Sequence, residues 1–369
     1  MGSDLYSRIE KILSSARNYS ARSVNTAQVC ANWMIGREII EDEQGGKKRA
    51  DYGKKILEEL SKKLTQEFGN GYSIQNLKYI RQFYLEYPSL ITPKISHSVR
   101  GQSQKSLEEL QKTISPSLSG QSWEPGQLHP NLSWTHYRTL LRVNKQEARS
   151  FYEIESIRNN WSARELERQI NSLLFERLAK SKDKKGLIKL ATKGQEISKP
   201  EDVFKDPVVI EFLGLPESHK LVESKLEEAL LHNLQDFLLE MGKGFAFVSR
   251  QERISLEGDH FYVDLVFYHT ILKCYVLIEL KVGKLTHQDL GQMQLYVNYF
   301  DQERRTQGDN PTLGLLLCTD KNEAVVKYTL ASNQEKKIFT SQYKLHLPSE
   351  KELSEEIKKE LKEIRNLHL

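Results

Sequence analysis

Two runs of β-branched and aromatic residues, Phe261–Tyr268 (FYVDLVFY) and Tyr275–Val282 (YVLIELKV), flank a short connection. Such runs joined by a tight turn read as an antiparallel hairpin. With the turn centred between Ile271 and Leu272, Asp264 falls opposite Glu279, give or take one residue. Directly opposed side chains have Cβ atoms about 4.5–5.5 Å apart. Alternation puts Phe261, Val263, Leu265, Phe267, Val276, Ile278, Leu280 and Val282 on one apolar face that must be buried. The other face is apolar except for Asp264, Glu279 and Lys281, gathered at one end.

Opposed carboxylates on a sheet repel, and partly buried charges without compensation are costly. A hard divalent cation removes the conflict. Mg²⁺ takes one or two carboxylates together with waters and phosphate oxygens, and the Leu280 carbonyl offers a further ligand. Mn²⁺ is the expected substitute. Lys281 points to the same face as Glu279 and is placed to activate a water or to neutralise charge growing on phosphorus. Taken alone, the same string also describes an Asp264–Lys281 or Glu279–Lys281 surface pair on a solvated sheet face.

The surroundings add order. A helix is expected from Ser218 or Ser224 to Met241, carrying Glu227, and a first strand over Phe245–Ile254. After the hairpin, Thr286 caps a helix with Asp289 in its first turn, and Thr312–Cys318 reads as a short buried strand. The order is helix, three strands, helix, strand.

That order, with Glu227, Asp264, Glu279-Leu280-Lys281 and the Gln292…Tyr296 spacing, resembles the PDDEXK nucleases, the restriction-endonuclease-like superfamily. The wording is closer still to a bacterial branch, the YhcG-like proteins. Phe212–Leu215, Leu234–Glu240, Gly242–Val248 and Gly308–Pro311 carry this, with Asn32-Trp33, Ile35–Arg37, Tyr72-Ser73 and Asn76-Leu77 in the other half. The resemblance implies an α+β chain: an all-helical N-terminal domain, then an αβββαβ domain with a mixed central sheet. Divisions are expected at 1–195, 206–348 and a C-terminal helix at 349–369. It implies a Mg²⁺-dependent DNA endonuclease of recombination, repair or defence, with catalytic Glu227, Asp264, Glu279, Lys281 and Gln292. Gln292 and Tyr296 would order the site or touch nucleic acid. The proline that often precedes the superfamily's Asp is Val263 here. A non-catalytic nucleic-acid-binding or assembly module on the same fold is the alternative. The expected partner is nucleic acid, most naturally DNA, with an oligomer or a defence or recombination complex as the assembly.

Smaller features carry further expectations. His260 and His287 flank the hairpin as candidate proton donors, although lone histidines are more often surface or capping groups. Arg250, Gln251 and Arg253 line a candidate nucleic-acid groove, although edge charges also block strand addition.

The N-terminal half is helical in pattern. Tyr52–Phe68, the turn at Gly69–Tyr72 and a Ser73-capped helix outline a helix-turn-helix, whose second helix shows Gln75, Asn76, Lys78, Tyr79, Arg81 and Gln82. Any αα-hairpin shares this outline; the DNA-reading version assigns Lys78 and Arg81 to nucleic acid. A Pro-, Ser- and Gln-rich loop is expected from Pro88 to Asn131, with a short helix at Lys105–Thr113, and a domain boundary near Ile188–Pro207 reads as a basic linker with Lys180, Lys182, Lys184, Lys185, Lys189 and Lys193. Apolar runs fall far short of a membrane span, and Met1–Tyr6 lacks an apolar signal core. Three widely spaced cysteines make neither a disulfide framework nor a zinc knuckle, so reducing cytoplasm is the expected compartment. A net charge of +4 decides nothing about partners.

Overall fold

The computed structural model describes residues 24–43, 50–90, 123–179, 184–215, 222–321, 323–330, 337–347, 349 and 351. Met1–Tyr6, the Lys105–Thr113 helix and most of the 349–369 helix lie outside them. By contacts the chain forms two units. One holds Met1–Ile170 and Asp183–Gly194; the other holds Asn171–Lys182 and Gln195–Leu369.

The first unit is helical: α1 (24–43), α2 (Ala50–Phe68), α3 (Ile74–Glu86), α4 (Trp134–Leu140), α5 (Gln146–Asn159) and α6 (Ala163–Asn171). Ile39, Leu57, Leu77 and Ile80 form one of its cores. A Cβ on Gly36 would lie 2.4 Å from the Ile80 carbonyl oxygen, so only glycine lets α1 cross α3 there. The Ser73 hydroxyl accepts from the Asn76 N–H, as expected, and Ser162 and Glu165 cap α6 reciprocally. The basic stretch contains a helix, α8 (Lys184–Lys193), packed on α5 rather than a bare linker. Among the described residues no helix is long and apolar enough to cross a membrane.

Glu153 of α5 is buried, accepting from the Tyr87 hydroxyl at 2.7 Å and the Gly126 N–H at 2.8 Å. Burial lifts its carboxyl from 4.5 to about 7, against those bonds and the Arg149 charge. A raised carboxyl binds more protons folded than unfolded, so its contribution is full below about 4.5 and is lost as pH climbs to about 7. The loss is about 3 kcal/mol. Glu153→Gln retains both partners, because the Tyr87 hydroxyl can turn to accept. Urea unfolding should find the variant more stable than the parent at pH 8 and level with it at pH 4. Equal stability at pH 8 would refute this.

The second unit adds α7 (Leu174–Ala179), β1 (Val208–Val209), α9 (Glu223–His232), α10 (Leu234–Met241), β2 (Phe245–Leu256), β3 (Asp259–His269), β4 (Cys274–Lys284), α11 (His287–Tyr299), β5 (Leu313–Asp320), α12 (Glu323–Thr329) and β6 (Ile338–Lys344). The six strands form a mixed sheet, ordered β1-β6-β5-β4-β3-β2. The β2, β3 and β4 pairings are antiparallel, and β4, β5, β6 and β1 run parallel. Because β4 and β5 are parallel, a crossover must join them, and α11 supplies it. The single helix expected up to Met241 is two, broken at Asn233, whose side-chain amide donates to the Ala229 carbonyl. The sheet is sandwiched. Leu226, Leu230 and Phe237 of α9 and α10 cover Leu265, Phe267, Ile278 and Leu315 on one face. On the other, Leu290, Met293, Tyr296 and Val297 of α11 cover Val266, Leu277 and Leu316.

Candidate active site

The β3–β4 ladder runs from His269 opposite Cys274 to Leu265 opposite Ile278, in the register expected from the sequence, and then stops. The next two residues are Asp264 and Glu279. Here carboxylates replace the backbone ladder. The Asp264 N–H donates to Glu279 Oε1 at 3.1 Å, and the Leu280 N–H donates to Asp264 Oδ2 at 2.9 Å. A strand residue's N–H and C=O leave on the same edge, so the Leu280 carbonyl also faces this opening.

Side-chain alternation inverts at the same point. Leu265 and Phe267 pack under α9 and α10, whereas Val263 and the partly buried Phe261 pack with Val266 against α11. The single apolar face expected for Phe261 through Phe267 is therefore divided between the two cores. On β2, Gln251 lies across from Asp264, between the pairs Arg250–Leu265 and Glu252–Val263, with a left-handed φ of 46°. Its amide donates to Glu227 Oε2 at 2.7 Å and to Asp264 Oδ1 at 3.0 Å. One neutral side chain thus ties the helix acid to the strand acid.

Lys281 stands among three carboxylates, 3.9 Å from Glu223, 3.9 Å from Glu279 and 3.7 Å from Asp289. Glu223 also accepts the Val282 N–H at 3.1 Å. Asp289 is fixed by the Thr286 capping box. Burial first, then the charge of Asp264, pushes the Glu279 carboxyl up to about 8. Asp264 and Glu227 are also raised, each mainly by burial.

Glu227, Asp264, Glu279 and Lys281 thus converge. Gln292 bonds the Tyr296 hydroxyl, which donates to the Tyr262 carbonyl at 3.1 Å. Tyr296 is fully buried, a placement that fits ordering of the site rather than touching a ligand. Arg250 is exposed, and its charge acts on Glu227. His260 bonds Arg253 and Ser255, and His287 is exposed on the first turn of α11. In the helical unit Lys78 is exposed, but Arg81 pairs with Glu43 at 2.8 Å. Asn76 bonds Gly71 and Trp134, and Gln82 reaches the Leu141 carbonyl. Much of the face expected to read bases is thus committed to internal contacts. Gln251 was expected in a groove rather than among the acids, and Glu223 was not singled out, although it precedes Glu227 by one helical turn.

The donor set is oxygen only, which suits a hard cation. Among the described residues no three His, Cys, Asp or Glu side chains form a metal-holding group.

Residues 201–362 match the family described as the YhcG PDDEXK nuclease domain, and residues 8–177 match the DUF1016 N-terminal domain. The protein named "Putative nuclease YhcG" of Escherichia coli (strain K12) is 37% identical over 360 residues, spanning 96% of this chain and 92% of its own length. A repair endonuclease from Pyrococcus abyssi aligns with 36% of this chain and 50% of its own at 20% identity and a TM-score of 0.26. An EndoMS–double-stranded DNA complex aligns over the same shares at 16% identity and a TM-score of 0.26. Both structural likenesses are too slight to bear on function.

Proposed function

We propose a reaction for this chain, which belongs to the YhcG family of PDDEXK nucleases: metal-dependent hydrolysis of DNA phosphodiester bonds, in recombination, repair or defence. The observation that carries it is the replacement of the β3–β4 ladder by the Asp264 and Glu279 carboxylates, with Lys281 beside them. Asp264, Glu279 and the Leu280 carbonyl would hold Mg²⁺ or Mn²⁺. When bound, the ion supplies positive charge and makes a nearby water more acidic. Gln251 keeps Glu227 and Asp264 at a fixed separation. Glu223 and Asp289 hold the Lys281 ammonium at the mouth of the opening, where it can stabilise charge developing on a phosphoryl oxygen.

Removing a group that orients ligands typically costs 10–100-fold in metal affinity. Gln251→Ala should therefore weaken Mn²⁺ binding by about that factor in calorimetry; unchanged affinity would remove Gln251 from the site. The reaction itself is tested with labelled duplex, single-stranded and branched DNA, and RNA, in Mg²⁺, Mn²⁺ or EDTA. Metal-dependent DNA cleavage is expected. Binding without cleavage would support the non-catalytic module instead.

A further inference from the structure

The half of the β2–β3 hairpin beyond Asp264 is a separate arm. Its pairing with β4 has ended, and it continues alone from Glu252–Val263 to Leu256–Asp259. One side is glued down: Ile254 and Val263 are fully buried with the α11 core, and Leu256 and Phe261 pack against them. Its other side is uncovered. The pairs Arg253–Tyr262 and Ser255–His260 lie there, and all four residues are exposed, Tyr262 by 46% of its surface. Arg253 hydrogen-bonds His260, which also meets Ser255 at 3.2 Å, so the polar side chains form one connected strip. Arg250, next to Glu227, continues the strip to the catalytic acids. The inversion at Asp264 and Gln251 is what turns these residues to the open side.

We infer that this open face is a docking surface for an unpaired DNA strand leading into the active site. The inference rests on the nuclease reading and names its substrate class. Three features favour that occupant. The strip's charge is cationic, complementary to phosphate. It is continuous with the acids where the scissile bond would lie. It offers an exposed aromatic ring on the open side of the ribbon, between cationic and hydroxyl side chains. Rings so placed stack single bases, whereas the bases of an intact duplex are already stacked on each other. A rise of about 3.3 Å per residue puts Arg253 roughly 7 Å along β2 from Gln251. That is a reach suited to a phosphate near the one being cut.

The test is fluorescence anisotropy in EDTA, so that nothing is cleaved. The probes are a labelled 20-nucleotide DNA strand, the matching blunt duplex and the same strand as RNA. Tyr262→Ala should weaken single-strand binding about 5- to 150-fold, the scale of one lost base stack. Tyr262→Phe should restore it, and blunt-duplex binding should change less than about twofold, since no base there is free to stack. Arg253→Ala should lower the salt slope by about 0.7, one phosphate contact on a single strand. Unaltered single-strand binding by Tyr262→Ala, failure of Tyr262→Phe to restore it, or a preference for duplex or RNA would overturn the inference. Parallel cleavage assays with Mg²⁺ separate the two readings. Metal-dependent cleavage with no effect of Tyr262→Ala on binding sinks the arm alone. Lost binding in a protein that cuts nothing supports the arm and sinks the nuclease.

Discussion

Glu279→Gln should abolish metal-dependent cleavage and, without metal at pH 8, make the protein more stable. The activity loss is expected to be at least about 100-fold, the scale of removing one preorganised charge-stabilising group. The stability gain follows from the direction of the pKa. Burial and Asp264 raise the folded carboxyl from 4.5 to about 8, so the folded state holds a proton that the unfolded chain releases. Stability from this group is therefore present below about 4.5 and lost as pH rises through about 8. A glutamine has no proton to lose, and its oxygen can still accept the Asp264 N–H. Thermal melts should show the variant above the parent at pH 8. Mg²⁺ should raise the parent's Tm by binding the folded state, and the variant's little. A variant melting lower than the metal-free parent at pH 8 would contradict this balance of charges.

Arg177→Ala should cost about 3–5 kcal/mol, because it strands a buried carboxylate. Arg177 and Glu240 are paired with side chains 0% exposed. The guanidinium also donates to the Ser172 carbonyl at 2.8 Å and to the Pro207 carbonyl at 2.9 Å, and Glu240 accepts the Val209 N–H at 3.0 Å. Replacing both charges, Arg177→Met with Glu240→Leu, should recover part of the loss: the desolvation cost of the ions goes, but the Val209 N–H and the Ser172 and Pro207 carbonyls lose their partners. A fragment beginning at residue 195 lacks Arg177 and should fold less stably than one beginning at 171, because Asn171–Lys182 belongs to the sheet unit. Urea unfolding of each checks this; a loss under about 1 kcal/mol on Arg177→Ala would place the pair among weak surface bridges.

The hairpin was legible because period-2 patterning and a short turn leave little freedom of register. Its pairing agrees with that expectation from His269–Cys274 through Leu265–Ile278. What patterning cannot show is where a ladder ends. Nothing local marks Gln251 as left-handed, so neither the inversion at Asp264 nor the Gln251 bridge was visible. Glu223 was within reach, since its spacing from Glu227 places both on one helix face. Strand β6 escaped notice because four of its seven positions are only partly buried and its run IFTSQYK is broken by polar residues. Amide and basic residues on α3 resembled a base-reading surface because sequence cannot distinguish a free Arg81 from one paired with Glu43.

The central claim is that the opening between β3 and β4 is a metal-holding catalytic centre. Crystals grown with Mn²⁺ test it through anomalous scattering. A peak about 2.0–2.3 Å from carboxylate oxygens of both Asp264 and Glu279, close to the Leu280 carbonyl, is predicted. An empty opening at saturating Mn²⁺, or a peak confined to other residues, would contradict it.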